Sequence, residues 1–292
     1  MLKRHAFQKI IKTTIALFIL LLLCIFPKND YQIPEEVIYI NEPSMPIYVM
    51  DKNGYVARTM AIKNEKLEDI KYIIDILTIN SVSSINLPIG FMGIIPENTK
   101  LLSYELKDGL LKLNFSKELL TLEQEKFEKA VESLIFSLCE LENVDKIMLF
   151  VENQIINNIP EVLDKKYGIN KTYDIDDIKG TNKTTIYYLS KNNDNYYYVP
   201  ITKISNTSKE AVEVIVSELK SVPIYEANLI SYLNASYELK DYQIMENAIH
   251  LSFNNLLLAN LDEKDIEEKV KYTISLSLRD TYNIEDITIT LN

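Results

Sequence analysis

The chain has 292 residues, of which 25% are charged and 47% are hydrophobic, a composition typical of globular protein rather than of a disordered chain. Its formal net charge of −11 disfavours binding to nucleic acid, and its six glycines leave almost no material for a glycine-rich phosphate-binding loop. The length suffices for two domains of modest size.

The N-terminal segment has the layout of an export signal or a membrane anchor. Its four basic residues are Lys3, Arg4, Lys9 and Lys12. They precede an uncharged run of 14 residues at 13–26, which is short for a bilayer span of roughly 20 residues. Snorkelling of Lys12 can extend the span, and no small-residue cleavage signal follows the run. We therefore expect a cytoplasmic segment at residues 1–12 and a retained anchor at 13–26, with the N-terminus inside.

Two alternatives to the retained anchor stay open. The leader could be cleaved as a signal peptide, or Cys24 could be lipidated. Three leucines stand before Cys24, where a lipoprotein signal has a small residue. Cys139 falls in a predicted helix and is expected to be a small buried apolar residue, so no internal disulfide is predicted.

The part of the chain after the leader is strongly acidic. Without the four basic residues of the leader, the remaining 27 basic and 42 acidic residues give a net charge of −15, and this surface repels anionic lipid headgroups.

One strand pattern occurs twice in the chain. The apolar positions are Leu111, Leu113 and Phe115 in the first copy and Ile249, Leu251 and Phe253 in the second, each 138 residues later. Polar residues alternate with them, which is typical of a half-buried strand. The turn Asp108-Gly109 before the first copy predicts a hairpin.

Helical patterns recur in the same order. The apolar stripe at 70–77 is repeated at 212–219, and the stripe at 127–138 is repeated at 266–277 with an offset of 139. Each copy begins with a tyrosine-rich hairpin and ends with an apolar alternation. Each copy therefore predicts the order β-β-α-β-β-α-β, an α+β domain in which two amphipathic helices cover one face of one small sheet.

The stretches between these patterns set the domain limits. Residues 27–45 are rich in proline and are predicted to form a tether, and residues 161–183 are polar, without sustained periodicity, and are predicted to form a linker. The two predicted domains span residues 46–160 and 184–292.

The first copy carries Ile95-Pro96, Thr99, Gly109 and Phe115-Ser116-Lys117-Glu118 in this order. With these residues it resembles the GerM domain of sporulation and spore-germination proteins. The second copy departs from this pattern, since Asn234 and Tyr237 stand where Pro96 and Thr99 would recur and Asn254-Asn255 replaces Ser116-Lys117. The chain is thus similar to two tandem GerM-like domains behind a membrane anchor.

The resemblance implies a non-enzymatic scaffold or assembly protein outside the cytoplasm, in sporulation or germination. Its implied partners are other extracytoplasmic sporulation or cell-envelope proteins and further copies of itself, with the membrane bound through residues 13–26 and no nucleic acid bound. An extracytoplasmic binding module for cell-wall glycan or a small germinant is the alternative. A wall hydrolase that uses two carboxylates is a third and weaker hypothesis.

The residues themselves offer no catalytic, cofactor-binding or metal-binding constellation. The only histidines are His5, on the predicted cytoplasmic side, and His250, on the polar side of its strand, which disfavours serine–histidine and cysteine–histidine catalysis and histidine-rich metal sites. The acidic stretch at 174–177 lacks the spacing of a calcium loop. We therefore predict no catalytic, cofactor or metal residues, and no cofactor.

Overall fold

A computed structural model describes residues 43–63, 66–173, 181–193, 195–221, 228–233, 237–255 and 263–291. Residues 43–292 form one compact unit. Within the described ranges no helix is both long and apolar enough to cross a bilayer. The predicted anchor at 13–26 lies outside the described residues and stays a prediction.

The first repeat follows the predicted order of elements. In chain order it contains β1 (Ser44–Asp51), β2 (Val56–Ile62), α1 (Asp69–Leu77), β3 (Phe91–Met92), β4 (Leu101–Lys107), β5 (Leu110–Phe115), α2 (Gln124–Leu138), β6 (Lys146–Val151) and β7 (Gln154–Ile155). The two-residue strands β3 and β7 are the additions to the prediction.

The second repeat has the same order after one short strand from the connecting segment. It contains β8 (Thr172–Tyr173), β9 (Asn182–Asn192), β10 (Asn195–Ser205), α3 (Ala211–Lys220), β11 (Tyr237–Ile244), β12 (Ala248–Asn255), α4 (Glu263–Tyr282) and β13 (Asp286–Leu291). The chain is therefore a tandem α+β protein, as predicted.

Each repeat builds the second half of its sequence into a small mixed sheet. In the first repeat β5 pairs antiparallel with β4 and parallel with β6, and in the second β12 pairs in the same way with β11 and β13. A register shift interrupts the antiparallel pair between Leu101 and Ser103, and the same shift recurs between Leu239 and Asp241, 138 residues later. A bulge kept at the same offset as the apolar pattern confirms the repeat.

The first hairpins of the two repeats share a six-stranded sheet. Its strand order is β3-β1-β2-β10-β8, and β9 pairs antiparallel with β10 along the whole length of both strands. The strands of each repeat are thus divided between two sheets, whereas the sequence predicted one small sheet per repeat. An isolated two-stranded hairpin is marginally stable in water, and the pairing of β2 with β10 joins two such hairpins into a larger sheet.

Two hydrophobic clusters fill the unit, and each takes residues from both repeats. The first cluster is built around Phe115 and Leu134 and includes Tyr187 of the second repeat. The second is built around Phe253 and Ile274 and includes Ala57 of the first. The cores of the repeats are therefore continuous with the contact between them.

Phe115 and Phe253 occupy equivalent positions, at the end of β5 and two residues before the end of β12, and both are 0% exposed. We expect Phe115→Ala to lower the free energy of unfolding by about 3 to 5 kcal/mol, because it leaves a cavity in the core. His250→Ala, at an exposed position of β12, should change it by no more than about 0.5 kcal/mol. Denaturant unfolding of residues 43–292 measures both, and a large loss for His250→Ala would contradict its assignment to the surface.

Candidate functional site

The two repeats meet at the centre of the shared sheet, where β2 and β10 run antiparallel with Arg58 opposite Tyr198. This register places Ala57 across from Val199, and both side chains are fully buried. A cluster of polar residues surrounds this contact, and we call it the joint. The joint consists of Tyr48, Glu140, Lys165, Asn170, Tyr187, Arg279 and Asp280.

Asn170 connects the backbones of the two central strands. Its side-chain Nδ2 donates to the carbonyl oxygens of Val56 and Pro200, both at 2.8 Å, and its Oδ1 accepts from the Val56 N–H at 2.9 Å. Pro200 has no N–H, so it cannot donate a hydrogen bond to a neighbouring strand. The side-chain amide of Asn170 makes the hydrogen bonds that link β2 and β10 at this point. The backbone N–H of Asn170 donates to Glu132 Oε2 at 3.0 Å, which ties the same residue to α2.

A pair of buried tyrosines lies on the line between the repeats. The hydroxyl oxygens of Tyr48 and Tyr187 are 2.7 Å apart, and neither residue is exposed. The backbone N–H of Tyr48 donates to Ser137 Oγ and that of Tyr187 to Ser277 Oγ, both at 2.9 Å. The matching contacts relate the repeats by an approximate two-fold axis.

Two carboxylates and two cations complete the joint. The hydroxyls of Tyr48 and Tyr187 carry one proton each, so one proton lies between their oxygens and the other is donated to a carboxylate, either by Tyr187 to Asp280 Oδ2 or by Tyr48 to Glu140 Oε1 at 3.2 Å. Lys165 Nζ contacts Glu140 Oε1 at 2.6 Å and Asp280 Oδ1 at 2.8 Å. Arg279 bridges the same two carboxylates, with Nη2 2.6 Å from Glu140 Oε1 and Nε 3.1 Å from Asp280 Oδ1. The cluster is formally neutral, and each of its charges has an opposite partner.

The electrostatics of the joint favour the charged forms of its acids. Burial alone raises the pKa of Asp280 and of Glu140, but the positive charges of Lys165 and Arg279 outweigh it and hold both pKa values below the ordinary range. Burial, together with the neighbouring carboxylates, raises the pKa of Tyr48 and Tyr187 well above that of a free tyrosine. The tyrosines therefore remain neutral hydrogen-bond donors to ionised carboxylates.

This arrangement can fix the two repeats in one relative position. The carboxylates come from the ends of α2 and α4, and Lys165 comes from the segment that connects the repeats. Breaking a buried ion pair leaves an uncompensated charge, which is strongly unfavourable. The joint is complete only when both repeats contact each other.

The joint was not predicted from the sequence. Lys165 and Asn170 lie inside the predicted linker at 161–183, where Ile169 is fully buried and β8 pairs with β10. The shared roles of Ser137 and Ser277 correspond to an offset of 140 for these helices, one more than the predicted 139. A signal was present in the sequence: Ser137-Leu-Cys-Glu140 recurs as Ser277-Leu-Arg-Asp280 at the same offset.

Of the other residues considered in the sequence, Cys139 borders the joint, and the rest lie away from it or have no described position. His250 is exposed on β12, whereas His5 and the acidic stretch at 174–177 lie outside the described residues. Cys139 follows α2, is half-buried and forms no disulfide, and burial raises its pKa to about 12, so its thiol is a poor nucleophile. Among the described residues, no group of three or more potential ligands from His, Cys, Asp and Glu could hold a metal ion.

Comparison with known proteins gives three concordant matches. Residues 46–157 match the family model described as "Germane: Sporulation and spore germination". The chain is 29% identical over 259 residues to the spore germination protein GerM of Bacillus subtilis strain 168, covering 84% of this chain and 70% of that protein. The tandem GerMN domains of the sporulation protein GerM from Bacillus subtilis superpose with a TM-score of 0.73 at 26% identity, covering 86% of this chain and 91% of the other. The predicted resemblance to tandem GerM domains is confirmed.

Lys165 provides a direct test of the joint. We expect Lys165→Met to lower the free energy of unfolding of residues 43–292 by about 3 to 5 kcal/mol, because two buried carboxylates then share one cation. Lys112→Met is the matched control, since Lys112 contacts Glu105 at 3.2 Å on the exposed face of the first repeat and should contribute no more than about 1 kcal/mol. Equal losses in urea unfolding would contradict a structural role for the joint.

The joint also predicts a dependence on pH. Carboxylates with lowered folded-state pKa values stabilise the protein above the ordinary carboxyl pKa, and this contribution is lost as the pH falls through the folded-state values. Wild-type protein should therefore lose stability more steeply between about pH 5 and pH 3 than the double variant Glu140→Gln, Asp280→Asn. Urea unfolding at a series of pH values gives the two slopes, and identical slopes would refute the assignment.

Proposed function

We propose that the chain, which is similar to the tandem GerM domains of a spore germination protein, is a membrane-anchored, extracytoplasmic scaffold or assembly protein of sporulation or spore germination that catalyses no reaction. The relatives that it matches carry the names of a spore germination protein and a sporulation protein, which supports a role in one of these processes. The scaffold role, the anchor and the absence of catalysis are parts of the proposal.

The joint is the observation that carries the scaffold role. A scaffold presents binding surfaces at a fixed spacing, and the joint holds two similar domains in one arrangement through contacts that span residues 48–280. Its ionisable groups are paired with one another, and the side chains of Glu140 and Asp280 are only 7% and 1% exposed, so their charges serve to hold the repeats together. Because the charges of the joint hold the two repeats together, they support a role in assembly rather than in catalysis.

The sheet edges are consistent with controlled assembly. The backbone N–H groups of Tyr48 and Tyr187, on β1 and β9, are occupied by serine hydroxyls of α2 and α4. The edge strand β4 carries Glu105 and Lys107, and the edge strand β11 carries Glu238 and Lys240. Charged side chains on edge strands oppose indiscriminate strand pairing, so partners must be recognised by side chains as well as by backbone.

One observation favours the alternative role as a binding module. A cavity of about 250 Å³ lies on the sheet formed by β11, β12 and β13. Its lining includes the hydrogen-bonding side chains of Gln243, His250, Ser252, Thr288 and Thr290, together with Asp241. Such groups suit a polar ligand, such as a cell-wall glycan or a small germinant.

The test of the anchored scaffold separates anchoring from folding. In the organism that encodes the chain, residues 1–28 are replaced by a cleavable export signal, so that a soluble protein beginning at Asn29 reaches the same compartment. We expect this protein to fold but not to support spore formation or germination, because anchoring raises the effective concentration of weakly associating domains at one membrane. Counts of heat-resistant and of germinating spores measure the outcome.

A matched control replaces only residues 13–26 with an unrelated membrane span and should restore function. Full restoration by the soluble protein at ordinary expression would overturn the anchored scaffold and favour the diffusible binding role. Mass spectrometry of the native protein distinguishes the anchors, since an intact leader supports the span and a diacylated Cys24 at the N-terminus supports lipidation.

A further inference from the structure

An uncharged segment interrupts the first repeat between α1 and β4. From Thr78 to Pro96 no residue is charged, although charged residues make up 25% of the chain. Three aliphatic residues of this segment are almost fully exposed: Val82 at 90%, Ile85 at 85% and Ile89 at 87%. Met92 is 54% exposed beside them. We call residues 79–92 the apolar turn.

The apolar turn has a defined conformation. It contains a 3₁₀ helix at Val82–Asn86, in which Ser81 Oγ accepts from the Ser84 N–H at 3.1 Å. Asp75 Oδ2 of α1 accepts from the Ser83 N–H, also at 3.1 Å. The outward position of the aliphatic side chains is therefore set by hydrogen bonds on the inner side of the turn.

The C-terminal end of the uncharged segment is also held in place by backbone hydrogen bonds. The N–H groups of Ile94 and Ile95 both donate to the carbonyl oxygen of Leu77 at 2.9 Å. A Cβ at Gly93 would lie 2.4 Å from that oxygen, so the close approach requires glycine. The turn is thus held at both ends while its apolar side chains face solvent.

We propose that the apolar turn inserts Val82, Ile85 and Ile89 into the surface of the lipid bilayer, as a second membrane contact. This inference rests on the proposed location of the chain at a membrane. Exposed aliphatic side chains gain free energy when they enter the acyl region, and a segment without charges enters it without burying a charge.

The chemistry of the turn favours lipid over a protein partner. Protein interfaces concentrate their binding energy in tryptophan, tyrosine and arginine, and serine and valine are under-represented there. The turn presents valine, isoleucine and methionine among serines and asparagines, and Phe91 is packed against the core. The strongly acidic chain outside the leader is repelled by anionic lipids, so the lipid contact must be apolar rather than electrostatic.

The covalent path permits both membrane contacts at once. Strand β3, at the end of the turn, pairs with β1 through Met50 and Asp51, at the opposite end of β1 from Ser44, where the predicted tether enters. Seven strand steps separate these ends by about 23 Å. The 16 residues from 27 to 42 can extend over about 55 Å, so the anchor and the turn can reach one bilayer.

The experiment uses residues 43–292, which form a compact unit without the leader. Flotation with zwitterionic phosphatidylcholine vesicles measures partitioning of the wild type and of the triple variant Val82→Ser, Ile85→Ser, Ile89→Ser. We expect the triple variant to partition at least about tenfold less, since each aliphatic side chain contributes to insertion. The matched control changes three exposed aliphatic residues elsewhere, Leu102→Ser, Leu120→Ser and Val162→Ser, and should partition like the wild type.

Tryptophan fluorescence reports whether the apolar turn enters the bilayer, and this measurement does not depend on a variant that has lost binding. The chain has no tryptophan, so Ile85→Trp introduces a single probe in the turn and Leu120→Trp introduces one outside it. We expect vesicles with brominated acyl chains to quench and blue-shift the emission of Ile85→Trp and to leave that of Leu120→Trp unchanged. Thermal unfolding confirms that each variant is folded.

Each outcome decides the proposal. Absence of wild-type partitioning, equal partitioning of the triple variant, or unquenched emission from the Ile85→Trp variant overturns it, as does a preference for anionic vesicles that the triple variant retains. Self-association in sedimentation that the triple variant abolishes, without vesicle binding, assigns the turn to a second copy and also overturns it. Because the assay uses protein without an anchor in vitro, these failures are distinct from failure of the spore assay.

Discussion

Pairing of two buried carboxylates with two cations determines how the repeats of this protein are arranged. Glu140 comes from the first repeat, Arg279 and Asp280 come from the second, and Lys165 comes from the connecting segment. Dehydrating each of these charges costs several kcal/mol, and Glu140 finds both of its cationic partners outside its own repeat. The cluster therefore acts mainly to select one arrangement, while the hydrophobic clusters that cross the joint supply net stability.

The tyrosine-rich strands follow from the same constraint. A buried tyrosine needs a partner for its hydroxyl. The hydroxyls of Tyr48 and Tyr187 bond to each other, and the proton not used between them is donated to a carboxylate of the joint. Their aromatic rings fill the space between the shared sheet and the helices, as the contact between Tyr48 and Phe136 at 5.4 Å illustrates. At the joint, tyrosine thus joins an apolar core to a charged cluster, a use that composition alone does not distinguish from an exposed binding surface.

The features that could be predicted from the sequence are those that depend on periodicity within a single strand or helix. The alternation ending at Phe115 and Phe253 gave the repeated strand, and the helical stripes gave the order of elements, because burial on one face leaves a pattern within each element. The shared sheet left no such pattern, since the pairing of Arg58 with Tyr198 joins two strands 140 residues apart. Lys165 lies in a three-residue 3₁₀ helix and Asn170 in the loop after it, and neither segment is long enough to show a period. The repeated Ser-Leu-x-acid ends of α2 and α4 were visible, but their contact depends on the two-fold arrangement.

The approximate symmetry of the joint makes the departures from symmetry informative. In the first repeat Met50 pairs with Met92 after the apolar turn, and in the second the equivalent Leu189 pairs with Ile230. The sequence between α3 and Ile230 is shorter, residues 221–229, and contains Glu226, whereas its counterpart is longer and uncharged. A charge in a segment of this kind opposes insertion into lipid. The proposed bilayer contact is thus confined to the first repeat, and the joint fixes the position of the second repeat relative to it.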